Sequence, residues 1–441
     1  MKKLFFILFL VQVVLFGLEF EEAKFLLNRT CFGASMQEIN SFKELSYEEA
    51  VEKLLNETIN KPKTSYPKWK DKYMGEGVDF KKLSAEEKKA LRKLRRKRWR
   101  ELQKWWLNEM IETESPLTEK MTLFWHNHFT SEITKVKWPS LMLRQNILFR
   151  KYALGSFADM LREIAKDPAM IIYLDNRTNK KSHPNENFAR ELLELFTLGE
   201  GHYSERDVKE AARAFTGWTV DRKTGKFKFK ASQHDFGEKV FLGEKGNFNG
   251  EDIIEIILKQ DRTAEFITEK FYKEFISYNI NVQEVKRIAK VFKDSNYNIK
   301  SLLYEILTSE DFKKTADRDL LIKSPIELSV GVLRTFDEKV IPINKVFRMT
   351  KRMGQELFNP PNVKGWVGGK EWMSTNYLME RRSFLAKVGR ILNRKYKKSS
   401  RYSIEELKKL LLPIEPLTQI DKKDYKKRFS VILLDPVYEL K

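Results

Sequence analysis

The chain has 441 residues, of which 83 are Lys or Arg, 62 Asp or Glu, five His and one Cys, with 41% apolar residues and a formal charge of +21. That apolar fraction is enough for a sizeable core and excludes a disordered, collagen-like or polytopic membrane chain. So basic a balance raises nucleic acid as a partner, but the excess is local: residues 61–104 carry 17 basic and 6 acidic side chains, residues 381–441 carry 17 and 7, and the rest balances. The protein reads as a neutral body with two basic blocks, and contact with an anionic surface through 61–104 and 386–441 ranks above nucleic acid.

Lys2 and Lys3 precede an apolar run from Leu4 to Leu18, broken only by Gln12, and Glu19, Glu21 and Glu22 follow it. This is the layout of a secretory signal and is shorter than the roughly 20 residues of a spanning helix. The expectation is export to the periplasm or cell surface, with residues 1–18 as signal peptide. The protein is not integral to a membrane unless that segment stays on as an anchor. A single cysteine excludes an internal disulfide.

The rest predicts helices. Ser35 with Glu38, Ser84 with Glu87 and Ser204 with Asp207 fit capping boxes, and Ser115 precedes a first-turn Pro116. From about 85 to 110, Leu91, Leu94, Leu102, Trp105 and Trp106 recur at helical spacing, with the basic run from Arg92 to Arg100 mostly opposite. Asp167-Pro168 opens a short helix, Pro184 opens another that runs to Leu198, and a third ends at Gly217. Between 225 and 248, Phe227 and Phe229 alternate with lysines among several glycines, the pattern of a small β-hairpin insertion. Helical patterning then resumes to about 333, a loop rich in Pro and Gly covers 358–372, and the lysine-rich tail reads as loosely attached.

On a wheel of 100° per residue, the 184–198 helix puts Glu186, Arg190, Glu194, Asn187 and Glu191 on one side and its apolar residues on the other. That polar face contains no lysine. It is either an exposed stripe of i,i+4 ion pairs or the wall of a cleft in which Arg190 orients carboxylates for acid/base work or metal binding. All five histidines fall between 126 and 234. His126 and His128 are two apart, so on a helix they diverge by about 200° and cannot chelate one ion. The adjacent pair His234-Asp235 could ligate metal or bond its own loop. Trp218 and Trp366 follow glycines and suit anchoring on a helical core, with sugar stacking as the functional alternative. No phosphate-binding glycine loop, Ser-His-Asp order or nucleophilic-cysteine pattern is present.

Several strings, among them RTCFGAS (29–35), KMTLFWHNHFTS (120–131), DPAMIIYLDN (167–176), PNENFARELLELFTLGEGHYSERDVKEAARAFTGW (184–218) and FNPPNVKGWVGG (358–369), resemble the bacterial family catalogued as domain of unknown function 1800. The resemblance spans roughly residues 20 to 385. It implies a secreted, mainly helical domain, often encoded beside an exported sulfatase-like family, and names no reaction. The motif positions it marks are His126, Asn127, His128, Asp175, Asn176, Asn185, Glu186, Asn187, Arg190, Glu191, Glu194, Arg213, Trp218, His234 and Asp235.

The combined expectation is a mainly α, multi-helical single domain over 19–385, with a basic helical insertion at 61–104, a small β-hairpin insertion near 225–248 and a basic extension over 386–441. The favoured function is a hydrolase-like exported enzyme. Its cleft would join Glu186, Arg190, Glu191 and Glu194 to His126, His128, His234 and Asp235, with a divalent metal as candidate cofactor. The alternative is a non-enzymatic envelope module paired with a sulfatase-like exported partner.

Overall fold

The computed structural model describes residues 17–441 apart from 76–77, 79–81, 316–319, 337–339 and 400. The expected signal peptide, except for Gly17 and Leu18, lies outside the described residues. Among those described, no helix is long and apolar enough to cross a membrane.

Helices begin where a side chain can take over the free amides of a first turn. Ser35, Ser84 and Ser204 each accept from the amide three residues on at 3.1–3.2 Å, and Glu38, Glu87 and Asp207 reach back to the serine amide. Ser115 is different. Its hydroxyl accepts from the Ile59 amide at 3.1 Å and pairs with Thr118, so the Pro116–His128 helix opens on proline without a side-chain cap.

The longest of the helices described in full is Ala85–Glu112. Its core contact starts at Trp99 and continues through Leu102, Trp105, Trp106 and Met110, against helices Pro116–His128, Pro139–Tyr152, Pro325–Thr335 and Ile343–Arg352. The first half projects beyond that contact. Leu94, expected on the apolar stripe, is therefore exposed beside the basic run. Behind this helix Trp125, Phe129, Phe149, Phe157, Phe196 and Phe271 form an aromatic nest, and the Trp125 indole N–H donates to the Ala153 carbonyl at 3.1 Å.

Three expectations need correction. The 184–198 segment is not one α-helix: an α-helical turn over Asn187–Glu191 widens into a π-helical stretch over Leu192–Thr197. Both Leu198 and Gly199 donate to the Leu193 carbonyl, and the Thr197 hydroxyl reaches back to the Leu192 carbonyl. A spacing of 100° per residue therefore holds only up to Glu191, although Glu194 keeps the partial exposure of Glu186, Arg190 and Glu191. The β insertion is two hairpins, pairing Trp218–Val220 with Phe227–Phe229 and Lys239–Phe241 with Glu244–Gly246.

The third correction concerns the tail. The boundary expected at 385 falls inside helix Thr375–Lys395, which packs along helix Arg428–Leu433. Leu407, Phe429, Ile432 and Leu433 are fully buried, and Arg381 makes a buried ion pair with Glu439. Residues 321–323 pair with 439–441 through three backbone bonds of 2.8–3.0 Å, one of them from Lys323 to Glu439 at 2.9 Å. Leucines and aromatics spaced among the lysines make this segment part of the core. Phe429→Ala should accordingly lower stability by about 3–5 kcal/mol, as for a core aromatic. Denaturant unfolding will read this, and a loosely attached tail would give no change.

Candidate functional site

The helix Pro116–His128 places two different chemistries on two faces. Glu119 and His126, seven residues apart, face inward. The Glu119 carboxylate receives Arg150 in a two-pronged pair at 2.6 and 2.8 Å and the Trp106 indole at 2.8 Å. Arg150 also donates to Asn146 Oδ1 at 2.7 Å, and Asn146 Nδ2 meets His126 Nε2 at 3.1 Å. All five side chains are buried, and Trp106, Phe149 and Phe358 enclose the imidazole. Burial, reinforced by Arg150, pushes the His126 pKa well below its ordinary value. His126 is thus a neutral structural acceptor in a closed network.

The acidic face reads differently from its expected role. Arg190 lies between Glu205, held by two bonds of 2.7 and 2.8 Å, and Glu186 at 3.1 Å, with all three side chains at least a third exposed. Glu194 accepts from the Tyr203 hydroxyl at 3.2 Å. Burial and then the neighbouring Glu194 raise the Glu191 pKa. The amides around this helix are bonded to the loops. Asn187 donates to the Leu174 carbonyl, Asn185 caps Asn187 and donates to Thr178, and the buried Asn176 accepts from Asn179. Asp175, at φ 58°, pairs with Lys135 at 2.7 Å.

The remaining pair fastens the hairpins. His234 Nδ1 meets the Thr216 carbonyl at 2.9 Å, and its ring packs between Phe229 and Phe236. Asp235 takes Arg213 at 2.8 and 3.3 Å, which holds its carboxyl below the usual range, and Arg213 also binds Glu210. Trp218 is buried edge-on against Phe215 and Phe227, an anchor and not a sugar platform. His126, Glu186 and His234 have no hydrogen-bond partner in common, and among the described residues no three His, Cys, Asp or Glu side chains are grouped to hold a metal ion.

The other face of Pro116–His128 does line a cavity. Lys120, Phe124, Asn127 and His128 recur at helical spacing along a cleft of about 550 Å³ that the 364–372 loop closes on the far side. Asn127 Oδ1 accepts the Trp366 amide at 2.7 Å, and a Cβ on Gly365 would stand 2.3 Å from that oxygen, so only glycine, here at φ +96°, lets the loop approach so closely. His128 Nε2 bonds the Phe196 carbonyl at 3.0 Å, at the end of the π-helical stretch. Among the described residues its Nδ1 has no partner and is buried, as is the Trp366 indole nitrogen. Burial, then Lys270, lowers the His128 pKa well below its ordinary value, and burial, then Lys273, lowers Lys270 to about 8. On the cleft floor Glu327 binds both Lys120, at 2.6 Å, and Lys441. Burial alone would raise Glu327, but the two ammonium groups outweigh it and hold the carboxyl below its usual range.

A family model described as Protein of unknown function (DUF1800) matches residues 25–434 of this chain. The chain belongs to the DUF1800 family. No curated protein and no solved structure matches it. The match reaches 434, past the expected limit near 385, in keeping with the packed tail.

Within this DUF1800 chain the structure brings His128, Asn127 and Trp366 together and leaves the other sequence candidates in separate ion pairs and loop bonds. Sequence reasoning missed Arg150 and Glu119, the cleft cations Lys120, Lys270 and Lys441, and Arg29. The buried Arg29 donates to the Phe275 and Ile276 carbonyls at 2.9 Å, where helix Asp261–Phe275 ends. Only Lys120 and Arg29 had a signal, their places within the motif strings KMTLFWHNHFTS and RTCFGAS. Arg150→Met should cost about 3–5 kcal/mol by stranding Glu119. Glu186→Gln, at a partly exposed pair, should cost less than about 1 kcal/mol. Thermal or denaturant unfolding of the two variants checks the contrast.

Proposed function

We propose that this chain is a hydrolase-like enzyme acting on an anionic substrate held in the cleft between the Pro116–His128 helix and the 364–372 loop. One observation carries the reading: a neutral His128, bonded through Nε2 to a backbone carbonyl, has an unpartnered Nδ1 in a residue that lines a lysine-rich cleft. A carbonyl only accepts, so Nε2 carries the proton and Nδ1 the lone pair. A ring fixed through one nitrogen, with burial keeping a lone pair unprotonated on the other, is the arrangement of a general base. Lys270, at about 8, has the strength to return a proton to a leaving group, and the Trp366 N–H is a spare donor for an oxygen that becomes negative. Lys120, Lys270, Lys273, Lys364, Lys370 and Lys441 among the lining residues outnumber Glu274, Glu327 and Glu371, which favours an anion. Export to the periplasm or cell surface is part of the same reading, supported by Lys2, Lys3 and the apolar run that follows them.

A second reading, a non-enzymatic envelope module holding a sulfatase-like exported partner, has its own support. The acidic face and His234-Asp235 are tied into ion pairs and loop bonds and are not gathered round a cavity.

Hydrolysis of p-nitrophenyl acetate, phosphate and sulfate, followed from pH 6 to 9.5, separates the two. Lys270 is charged below about pH 8 and neutral above it, so turnover should fall as pH rises through 8, and Lys270→Met should remove that fall. His128→Gln can still donate to the Phe196 carbonyl but cannot take a proton, and should lose about 100-fold in kcat with its thermal midpoint kept. No turnover of any of the three esters, or an unchanged His128→Gln rate, would leave the module reading standing.

A further inference from the structure

A second groove, of about 720 Å³, lies between helices Ala85–Glu112 and Ile343–Arg352. Arg96, Arg100 and Lys104 line one wall at i, i+4 and i+8, and so share one face of their helix over about 12 Å. Arg348 and Lys351 line the other wall. The one acidic residue lining the groove, Glu356, is already engaged by Lys351 at 2.9 Å, Asn359 at 3.0 Å and Gln103 at 3.2 Å. Among the described residues, Arg96, Arg100, Lys104 and Arg348 have no carboxylate partner. Four uncompensated cations on facing walls repel one another, and an anion seated between them relieves that repulsion.

The rest of the groove says which anion. A flat bilayer could meet only its rims, whereas a chain of linked anions can lie along the Arg96–Arg100–Lys104 stripe. Single-stranded nucleic acid binds by stacking bases on open aromatic platforms. The two aromatics here, Trp99 at 9% exposure and half-buried Phe347, form a floor and not a platform. Neutral amides complete the walls: Asn344 is exposed, and Asn359 Oδ1, buried and without a partner among the described residues, is an acceptor that an O–H donor could complete. Cations for charges, amides for hydroxyls and an apolar floor for ring faces match a strand of acidic sugars. We infer that this groove binds an acidic polysaccharide, independently of the first cleft.

The test is calorimetric binding to the full chain at low salt of a polygalacturonate oligomer and a chondroitin sulfate oligomer, which distinguish carboxylate from sulfate as the anionic group. Uncharged dextran, a dT15 oligonucleotide and phosphatidylglycerol vesicles are the comparisons. At least one acidic oligosaccharide should bind, with affinity falling as salt rises, and dextran should not. Arg100→Glu with Arg348→Glu, both exposed, should weaken binding at least tenfold. Arg96→Gln with Arg100→Gln should weaken it less, and this milder pair decides the matter if the reversal fails to fold. Lys270→Met should leave this binding unchanged, so failure here and failure of the first cleft are separable. Absence of binding by both acidic oligosaccharides, equal or tighter binding of dT15 or vesicles, or binding indifferent to the arginine substitutions would overturn the inference.

Discussion

Withdrawing a guanidinium and a carboxylate from water costs several kcal/mol per ion, and Arg150 and Glu119 offset this only because their bonding groups are met inside the fold. Glu119 takes both prongs of Arg150 and the Trp106 indole, and Arg150 passes its third bond to Asn146, which meets His126. The five members come from three helices: Trp106 from Ala85–Glu112, Glu119 and His126 from Pro116–His128, Asn146 and Arg150 from Pro139–Tyr152. A two-pronged pair has little angular freedom. It therefore fixes the rotation of Pro116–His128 about its own axis, and everything that helix presents elsewhere follows from it.

The cleft is the first consequence. With Glu119 and His126 turned inward, Lys120, Phe124, Asn127 and His128 come to the opposite side of the helix. His128 then meets the carbonyl that ends the π-helical stretch, Asn127 catches the 364–372 loop, and Lys120 reaches Glu327. The string HNH thus holds three separate jobs: a buried acceptor, a clasp for a loop and an imidazole at the cleft. Lys441 reaches the same Glu327, so the packed tail and the cleft floor share a carboxylate.

The sequence made the helical class, the capped helix starts and the opposite pointing of His126 and His128 legible, because each rests on neighbours within a few residues. It also marked His128, Asn127 and Trp366. It could not make the cleft legible, since Lys120, Lys270, Glu327 and Lys441 meet across more than three hundred residues and long-range pairing leaves no local pattern. The acidic helix misled for a definable reason. A face without lysine looked like a cleft wall, but Arg190 is taken up in partly exposed pairs with Glu186 and Glu205, and the α-helical spacing on which the wheel depends ends at Glu191. The tail misled because lysine content was taken for looseness, although leucines and aromatics spaced among the lysines carry the packing.

The two basic blocks, alike in net charge, are physically unlike. In the C-terminal block the arginines Arg381 and Arg428 are buried. Arg381 pairs with Glu439, and Arg428 donates to the carbonyls of Tyr396, Ser399, Tyr402 and Tyr425, with Lys441 in the ion cluster beneath the cleft. Those cations hold the tail to the body, which takes part of the tail out of any contact with an anionic surface. In the first block, by contrast, Arg96, Arg100 and Lys104 share the face of Ala85–Glu112 that lines the second groove, turned away from the core contact, and have no carboxylate partner among the described residues. Uncompensated charge that folding does not use is where an external anion gains most, since binding there breaks no internal pair. The formal +21 is therefore a poor guide to what the protein meets, and the placement of its unpaired members a better one.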